Sequence, residues 1–199
     1  MKGFLLGLTL WCICLVSLQA QIPGSTNPDK RGFYFQPGFD LNYPLHDDMI
    51  RSHRLGVGVS LLAAYQVSPK YSTGLRLRYA YHMERNDYPE NYTGTEISRL
   101  PFSVLTFQWN NQVPVFRSWL AGIDFGYGVA DTKGAHKVGL GWVQEYDGCA
   151  RNYFATSLYL GKRFTAMDKY NVMMSFFFDN LFGEKHAENF GGLRMEIRL

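Results

Sequence analysis

The sequence predicts an all-β protein, an eight-stranded antiparallel up-and-down transmembrane β-barrel. Three observations carry this prediction. Apolar and polar residues alternate with a period of two in repeated segments of ten or more residues. The connections between these segments are alternately long and short, and no apolar helix follows the N-terminal segment. At 199 residues, with 46% hydrophobic and 16% aromatic residues, the chain is not disordered and is expected to form one domain.

The N-terminal segment has the order of a secretory signal peptide. Met1 and Lys2 precede an apolar run over 4–18, and Gln19 and Ala20 follow it. We therefore predict a signal peptide at 1–20 and a barrel domain at 21–199. A retained membrane anchor is the alternative, but the run is shorter than the roughly 20 residues that a spanning helix needs. Cleavage would leave Cys149 alone in the mature chain, so internal disulfides would not stabilise it.

The first three predicted strands alternate most regularly. In the first, Phe33, Phe35 and Phe39 share one face, while Tyr34 and Asp40 share the other. The second segment, 55–66, sets Leu, Val and Tyr against Gly and Ser. The third, 74–82, sets Leu and Tyr against a face with two arginines. Period-two alternation of this kind is typical of strands with one apolar face.

The later strands vary more. The fifth, 119–128, and the eighth, 192–199, alternate cleanly, whereas the sixth, 153–164, alternates less well and the seventh, 170–180, is apolar almost throughout. In the fourth, Phe102 and Val104 are out of phase with Phe107 and Trp109. This change of phase predicts a β-bulge near Leu105 or Thr106.

The connections predict which ends of the strands lie together. Long connections are expected at 44–52, 84–96, 131–149 and 181–189, and short ones at 68–70, 111–115 and 166–169. In an antiparallel chain the odd connections lie at one end and the even ones at the other. An arrangement with all long loops at one end and all tight turns at the other is typical of outer-membrane barrels, whose short turns are periplasmic.

The polar face distinguishes a membrane barrel from a soluble lipocalin-like one. On a soluble barrel this face would meet water and be rich in Lys, Glu and Thr, but here it is rich in glycine. Small residues suit the narrow interior of eight strands. Aromatic residues near the predicted strand ends fit a membrane boundary. The inward glycines are predicted to be Gly38, Gly56, Gly58, Gly74, Gly122, Gly126, Gly128 and Gly192.

A signal peptide, eight amphipathic strands and alternating loop lengths together resemble the small outer-membrane β-barrels of the OmpX and OmpW kind. The segment 96–102, Glu-Ile-Ser-Arg-Leu-Pro-Phe, also resembles a strand entry of PorT-like outer-membrane barrels. The resemblance implies the outer membrane of a Gram-negative bacterium, with both termini periplasmic and assembly by the barrel-insertion machinery. Such families usually end in an aromatic residue, and Leu199 departs from this pattern.

Two groups of charged residues are the candidate functional residues. The first is a polar network predicted inside the lumen, and the second is a cationic external rim that could meet the phosphates of lipopolysaccharide. The lumen set is Asp40, Arg76, Arg78, Asp124, Asp179, Arg194, Glu196 and Arg198. The rim set is Arg51, Arg54, Arg85, Lys133, Lys137 and Lys185.

We expect a non-enzymatic protein with a side-chain-filled lumen, acting through its external loops in envelope integrity, secretion or adhesion. Outer-membrane lipid is an expected partner, and a protein partner could bind the loops. Basic residues are not clustered, at a formal net charge of +3, so nucleic acid is not expected.

The alternative function is a rim enzyme that hydrolyses or transfers acyl chains of lipid A. Histidines and acids occur at the predicted rim, but no serine-histidine signature accompanies them. We therefore assign no catalytic, cofactor-binding or metal-binding residue; Asp47 and Asp48, for example, lack EF-hand spacing. The residues considered were His46, Asp47, Asp48, His82, Glu84, Glu184, His186 and Glu188.

Overall fold

The computed structural model describes residues 31–45, 50, 53–84, 102–132, 151–166, 170–183 and 187–199. Consecutive strands pair antiparallel, and the last pairs with the first, so the sheet closes into an eight-stranded barrel. The predicted fold class is confirmed. The strands are β1 (Gly32–Pro44), β2 (His53–Ser68), β3 (Tyr71–Glu84), β4 (Phe102–Phe116), β5 (Trp119–Thr132), β6 (Arg151–Ala166), β7 (Tyr170–Phe182) and β8 (Ala187–Arg198).

The connections divide the barrel into two ends. We call the end with the connections 45–52, 85–101, 133–150 and 183–186 the long-loop end. The opposite end has the connections 69–70, 117–118 and 167–169, together with the start of β1 and the end of β8, and we call it the short-turn end. Among the described residues, no helix has the length and apolar character needed to cross a membrane.

The apolar face of the sheet is outside. In β1, Phe33, Phe39 and Leu41 are exposed, whereas Tyr34 and Asp40 are buried. Burial alternates in this way because successive side chains of a strand point to opposite faces. The exposed belt is aliphatic and aromatic around the barrel and includes Leu55, Leu77, Tyr79, Tyr81, Phe107, Trp109, Phe125, Tyr127, Leu158, Phe176, Phe178 and Leu193.

The bulge predicted in β4 is wrong. β4 pairs with β3 and β5 in unbroken register through Leu105 and Thr106, and its only shift lies beyond Pro114. Phe102 and Val104 are buried in the lumen, in the same phase as the polar inward residues that follow them. Apolar residues change from the inward to the outward positions along β4 because the lumen is apolar at the long-loop end. The strand itself is regular.

Two predicted connections also differ from the structure. The turn expected at 111–115 lies at Arg117 and Ser118, because β4 continues to Phe116. Arg117 adopts a left-handed conformation, with φ of 46°, which closes this tight turn. The long loop expected at 181–189 is short, since β7 extends to Phe182 and β8 begins at Ala187.

The seam between β1 and β8 is the shortest in the barrel. Its paired residues run from Gly38 to Pro44 on β1, and the Leu199 N–H extends the seam by donating to the Phe35 carbonyl at 2.9 Å. Backbone groups of every second residue point to the same neighbour. Pro37 therefore directs its nitrogen toward β8, where it has no hydrogen to donate. One rung of this seam is missing.

Candidate functional site: the lumen and its two ends

Arg78 connects two carboxylates across the lumen. Its Nε and Nη2 atoms donate to the two carboxylate oxygens of Asp40, at 2.9 and 2.7 Å, and its Nη1 donates to Asp179. These residues belong to β3, β1 and β7 and lie on the inward face of each. The bidentate bond fixes the guanidinium plane and neutralises charge where water is scarce.

Arg76 makes a second set of ion pairs two residues along β3. Its Nε lies 2.9 Å from Asp124, and its Nη1 donates to Glu196. All three side chains are completely buried. Because β3 residues two apart share the inward face, Arg76 and Arg78 project into the lumen one above the other.

Arg194 lies between these two sets. Its nearest carboxylate oxygens are those of Asp124 at 3.9 Å and Asp40 at 4.0 Å, distances of an ion pair rather than a hydrogen bond. Its guanidinium lies over the Phe177 ring, 4.6 Å from the centroid, and Arg78 lies 4.7 Å from the same ring. The Phe177 ring therefore attracts both guanidinium groups.

Neutral side chains complete the crossing of the lumen. Asn110 donates to Asp124 and, at 2.6 Å, to the Tyr159 hydroxyl. Gly122 makes room for Tyr159, because a Cβ at this position would meet the Tyr159 ring. We call this assembly the lumen network; it contains Asp40, Arg76, Arg78, Asn110, Asp124, Tyr159, Phe177, Asp179, Arg194 and Glu196.

At the short-turn end, the lumen is closed by a smaller polar cluster. Arg198 lies over the Tyr34 ring, 3.8 Å from its centroid, and donates to Gln66 at 3.3 Å. Tyr34 donates to the Ser72 hydroxyl at 2.9 Å. The Arg198 side chain thus contacts lumen-facing residues of β1 and β2, and it belongs to this cluster rather than to the lumen network.

At the long-loop end, the lumen is closed by apolar side chains. His82 lies among them, 4.6 Å from the Phe190 ring and 5.8 Å from the Phe102 ring. A cavity of about 10 Å³, the size of a single water, lies between these apolar side chains and the lumen network, and Arg78 and Asp179 form part of its lining. The apolar plug consists of Phe102, Val104, Ala130, Tyr153, Ala155, Leu181 and Phe190.

The rim residues are mostly outside the described part of the chain. Arg54 is described and exposed at the long-loop end. Of the residues considered for a rim enzyme, His82 and Glu188 are buried, and Glu84 is described only in its backbone. Outside the described residues lie Arg51, Arg85, Lys133, Lys137, Lys185, His46, Asp47, Asp48, Glu184 and His186, as do the predicted signal peptide and Cys149.

Sequence reasoning missed the neutral members of the network and the apolar plug. Tyr159 and Phe177 lie on β6 and β7, where both faces carry aromatic residues and alternation is weak. Ser157 and Asp179 are polar, and residues separated from them by an even number of positions share their inward face. This spacing would have placed Tyr159 and Phe177 inside the lumen. Within the described residues, no three His, Cys, Asp or Glu side chains are grouped to hold a metal ion.

Comparison with solved structures identifies similar barrels. Neisserial surface protein A matches with a TM-score of 0.54 at 8% identity, covering 86% of this chain and 99% of that one. The N-terminal β-barrel domain of OprF from Pseudomonas aeruginosa matches at 0.48 and 9% identity, covering 85% and 100%. Ail, the attachment invasion locus protein of Yersinia pestis, matches at 0.48 and 12%, covering 84% and 97%.

No protein-family model and no curated protein matches the sequence. The similarity to Neisserial surface protein A spans nearly the whole of both chains, and the strand number and closure agree with it. At this identity the comparison concerns the fold alone. The chain therefore has the fold of the small eight-stranded outer-membrane β-barrels.

Proposed function

We propose that this chain is a non-enzymatic outer-membrane protein of a Gram-negative bacterium, with both termini periplasmic and a closed lumen. It serves a structural or binding role through its long connections, in envelope integrity, secretion or adhesion. Lipid and lipopolysaccharide surround it, and the barrel-insertion machinery assembles it. One observation carries the proposal: the barrel is apolar outside, while ion pairs cross its interior from β3 to β1, β5, β7 and β8.

The exterior supports a membrane location on physical grounds. Large exposed apolar side chains occur on all eight strands. A soluble monomer rarely exposes a contiguous apolar patch larger than a few hundred Å². Closure gives every strand a hydrogen-bonded neighbour on both sides, as a sheet in hydrocarbon requires. A soluble lipocalin-like barrel would need the opposite arrangement, with an apolar interior around its ligand.

The interior supports a role other than diffusion of solutes. A hydrated solute would have to displace the bonds of Arg76 and Arg78 and then pass the apolar plug. Since breaking buried ion pairs leaves charges uncompensated, the closed arrangement is strongly preferred. This supports assigning the function to the connections rather than to the lumen.

Planar-bilayer recording tests the closed lumen. Folded protein, verified by its heat-dependent migration in detergent gels, should give no steady large conductance after insertion. A porin reconstituted in parallel is the positive control. Stable open channels of uniform size would contradict the proposal. In cells, the protein should stay with outer-membrane vesicles after carbonate washing, and its release would favour the soluble barrel.

The rim-enzyme alternative has less support, because His82 is buried against the rings of Phe102 and Phe190 instead of facing the surface. Mass spectra of lipid A from cells with and without the protein test it directly. We expect the same acyl chains in both.

A further inference from the structure

The exposed cations of the short-turn end form a group without an exposed Asp or Glu side chain among the described residues. Arg31 precedes β1, Lys70 lies in the β2–β3 turn and Arg117 in the β4–β5 turn. Lys162 lies on the outer face of β6. Glu196, the described acid nearest to this end, is fully buried and bound to Arg76. The four cations are thus distributed around this end of the barrel.

Charge in the rest of the sequence makes this end distinctive. The short-turn end is continued in sequence by Asp29 and Lys30, and by Asp168 and Lys169, which balance each other. At the other end, the segments 45–54, 84–101, 131–151 and 183–188 contain eleven acidic and eight basic residues. The excess positive charge of the chain therefore lies at the short-turn end, and the long-loop end has an acidic excess.

Aromatic and apolar side chains lie beside these cations. Lys162 is the cross-strand partner of Trp119, and the Arg117 guanidinium lies 5.2 Å from the Phe116 ring centroid. Phe116 is 62% exposed, and Phe33, close to Arg31 in sequence, is 81% exposed. Cations with long stems beside exposed rings are typical of the membrane boundary, where the rings lie among headgroups and the charges reach phosphate.

We propose that Arg31, Lys70, Arg117 and Lys162 form a basic collar that binds the phosphates of anionic phospholipids in the leaflet at the short-turn end. The inference rests on the proposed membrane location. It adds that the short-turn end prefers one class of lipid, the anionic phospholipids. Lipid phosphate fits better than a soluble anionic partner because Lys162 and the rings point outward from the barrel wall. The attraction is electrostatic, so salt should weaken it.

Electron spin resonance of labelled lipids measures this selectivity. The protein is reconstituted in phosphatidylcholine bilayers containing either spin-labelled phosphatidylglycerol or spin-labelled phosphatidylcholine. The motionally restricted fraction of each label gives their relative association with the barrel. We expect phosphatidylglycerol to be preferred roughly twofold or more at low salt, and the preference to fall at 1 M salt, where the Debye length is about 3 Å.

Two variants with equal charge change identify the end responsible. In the first, Arg31→Gln, Lys70→Gln, Arg117→Gln and Lys162→Gln are combined, and the preference should fall to near unity. In the control, Arg51→Gln, Arg54→Gln, Arg85→Gln and Lys185→Gln are combined at the opposite end, and most of the preference should remain. Folding of both is checked by heat-dependent gel migration, with charge-retaining Arg31→Lys, Lys70→Arg, Arg117→Lys and Lys162→Arg as a rescue variant.

Each other outcome overturns the inference. Equal association of the two lipids with the unchanged protein would exclude a basic collar, as would a preference that survives the first set of substitutions. Loss of preference only in the control would assign the lipid site to the long-loop end. Release of the protein from membranes would contradict the proposed location itself, so failure of the two proposals can be distinguished.

Discussion

At the scale of single residues, the lumen arginines differ in how firmly they are held. Arg78 donates three hydrogen bonds to Asp40 and Asp179, whereas Arg194 approaches its carboxylates only to 3.9 and 4.0 Å. Removing one partner of a buried pair costs about 3–5 kcal/mol because the other charge stays buried. We expect Arg78→Met to lower the free energy of unfolding by about this amount and Arg194→Met by clearly less.

Urea unfolding in lipid vesicles, followed by tryptophan fluorescence, measures both variants. The pair is matched because each changes the same residue type to Met beside the Phe177 ring. Equal losses would show that the hydrogen bonds of Arg78 do not set its contribution.

Two lumen glycines of β5 provide a second residue-level test. A Cβ at Gly122 would collide with the Tyr159 ring, whereas at Gly128 the nearest heavy atom would be 3.4 Å away. Overpacking a filled core costs about 1–3 kcal/mol, so Gly122→Ala should destabilise by that amount. Gly128→Ala should be neutral or stabilise by up to about 1 kcal/mol, because it restricts the unfolded chain. The same unfolding measurement checks both, and equal effects would contradict the assigned packing.

At the scale of the element, β1 and β8 form the shortest seam, and Pro37 removes one hydrogen bond that could extend it. Pro37→Val would supply an N–H directed toward β8, and a hydrogen bond of this kind contributes about 0.5–1.5 kcal/mol. We expect a gain in unfolding free energy of that size. Leu41→Val on the same outer face is the control, since its N–H is already present, and no gain is expected there. A lower free energy of unfolding for Pro37→Val would mean that the backbone at this position suits proline and cannot form the added hydrogen bond to β8.

β4 shows how far alternation predicts an element. Its existence and its outer face at Leu105, Phe107 and Trp109 follow from the sequence. The inward face changes from apolar to polar between Val104 and Thr106, and a period-two pattern cannot separate this change from a bulge. Gln108 and Asn110 are polar and lie an even number of residues from Val104, so all three face the same side of a regular strand. These positions favour a change of lumen polarity over a bulge.

At the scale of the whole molecule, the charged lumen residues were predicted, but their partners were not. Arg76 and Glu196 are 120 residues apart, and Arg78 and Asp179 are 101 apart. Which of them meet depends on the stagger of all eight strands around the closed barrel. Alternation fixes the face of each strand but contains no information about this stagger, so residue type and side were predictable and pairing was not.

The difference between the two ends of the barrel predicts its orientation in the outer membrane. Both ends of the described chain, Arg31 and Leu199, lie at the short-turn end, and long external loops opposite short periplasmic turns are typical of outer-membrane barrels. Cys149, in the connection 133–150, should therefore react with a membrane-impermeant maleimide in intact cells. In a Cys149→Ser background, Lys70→Cys in the exposed β2–β3 turn should react only after the outer membrane is permeabilised. Labelling of Lys70→Cys in intact cells, together with an unreactive Cys149 in the unchanged protein, would show that the barrel is inserted the other way round.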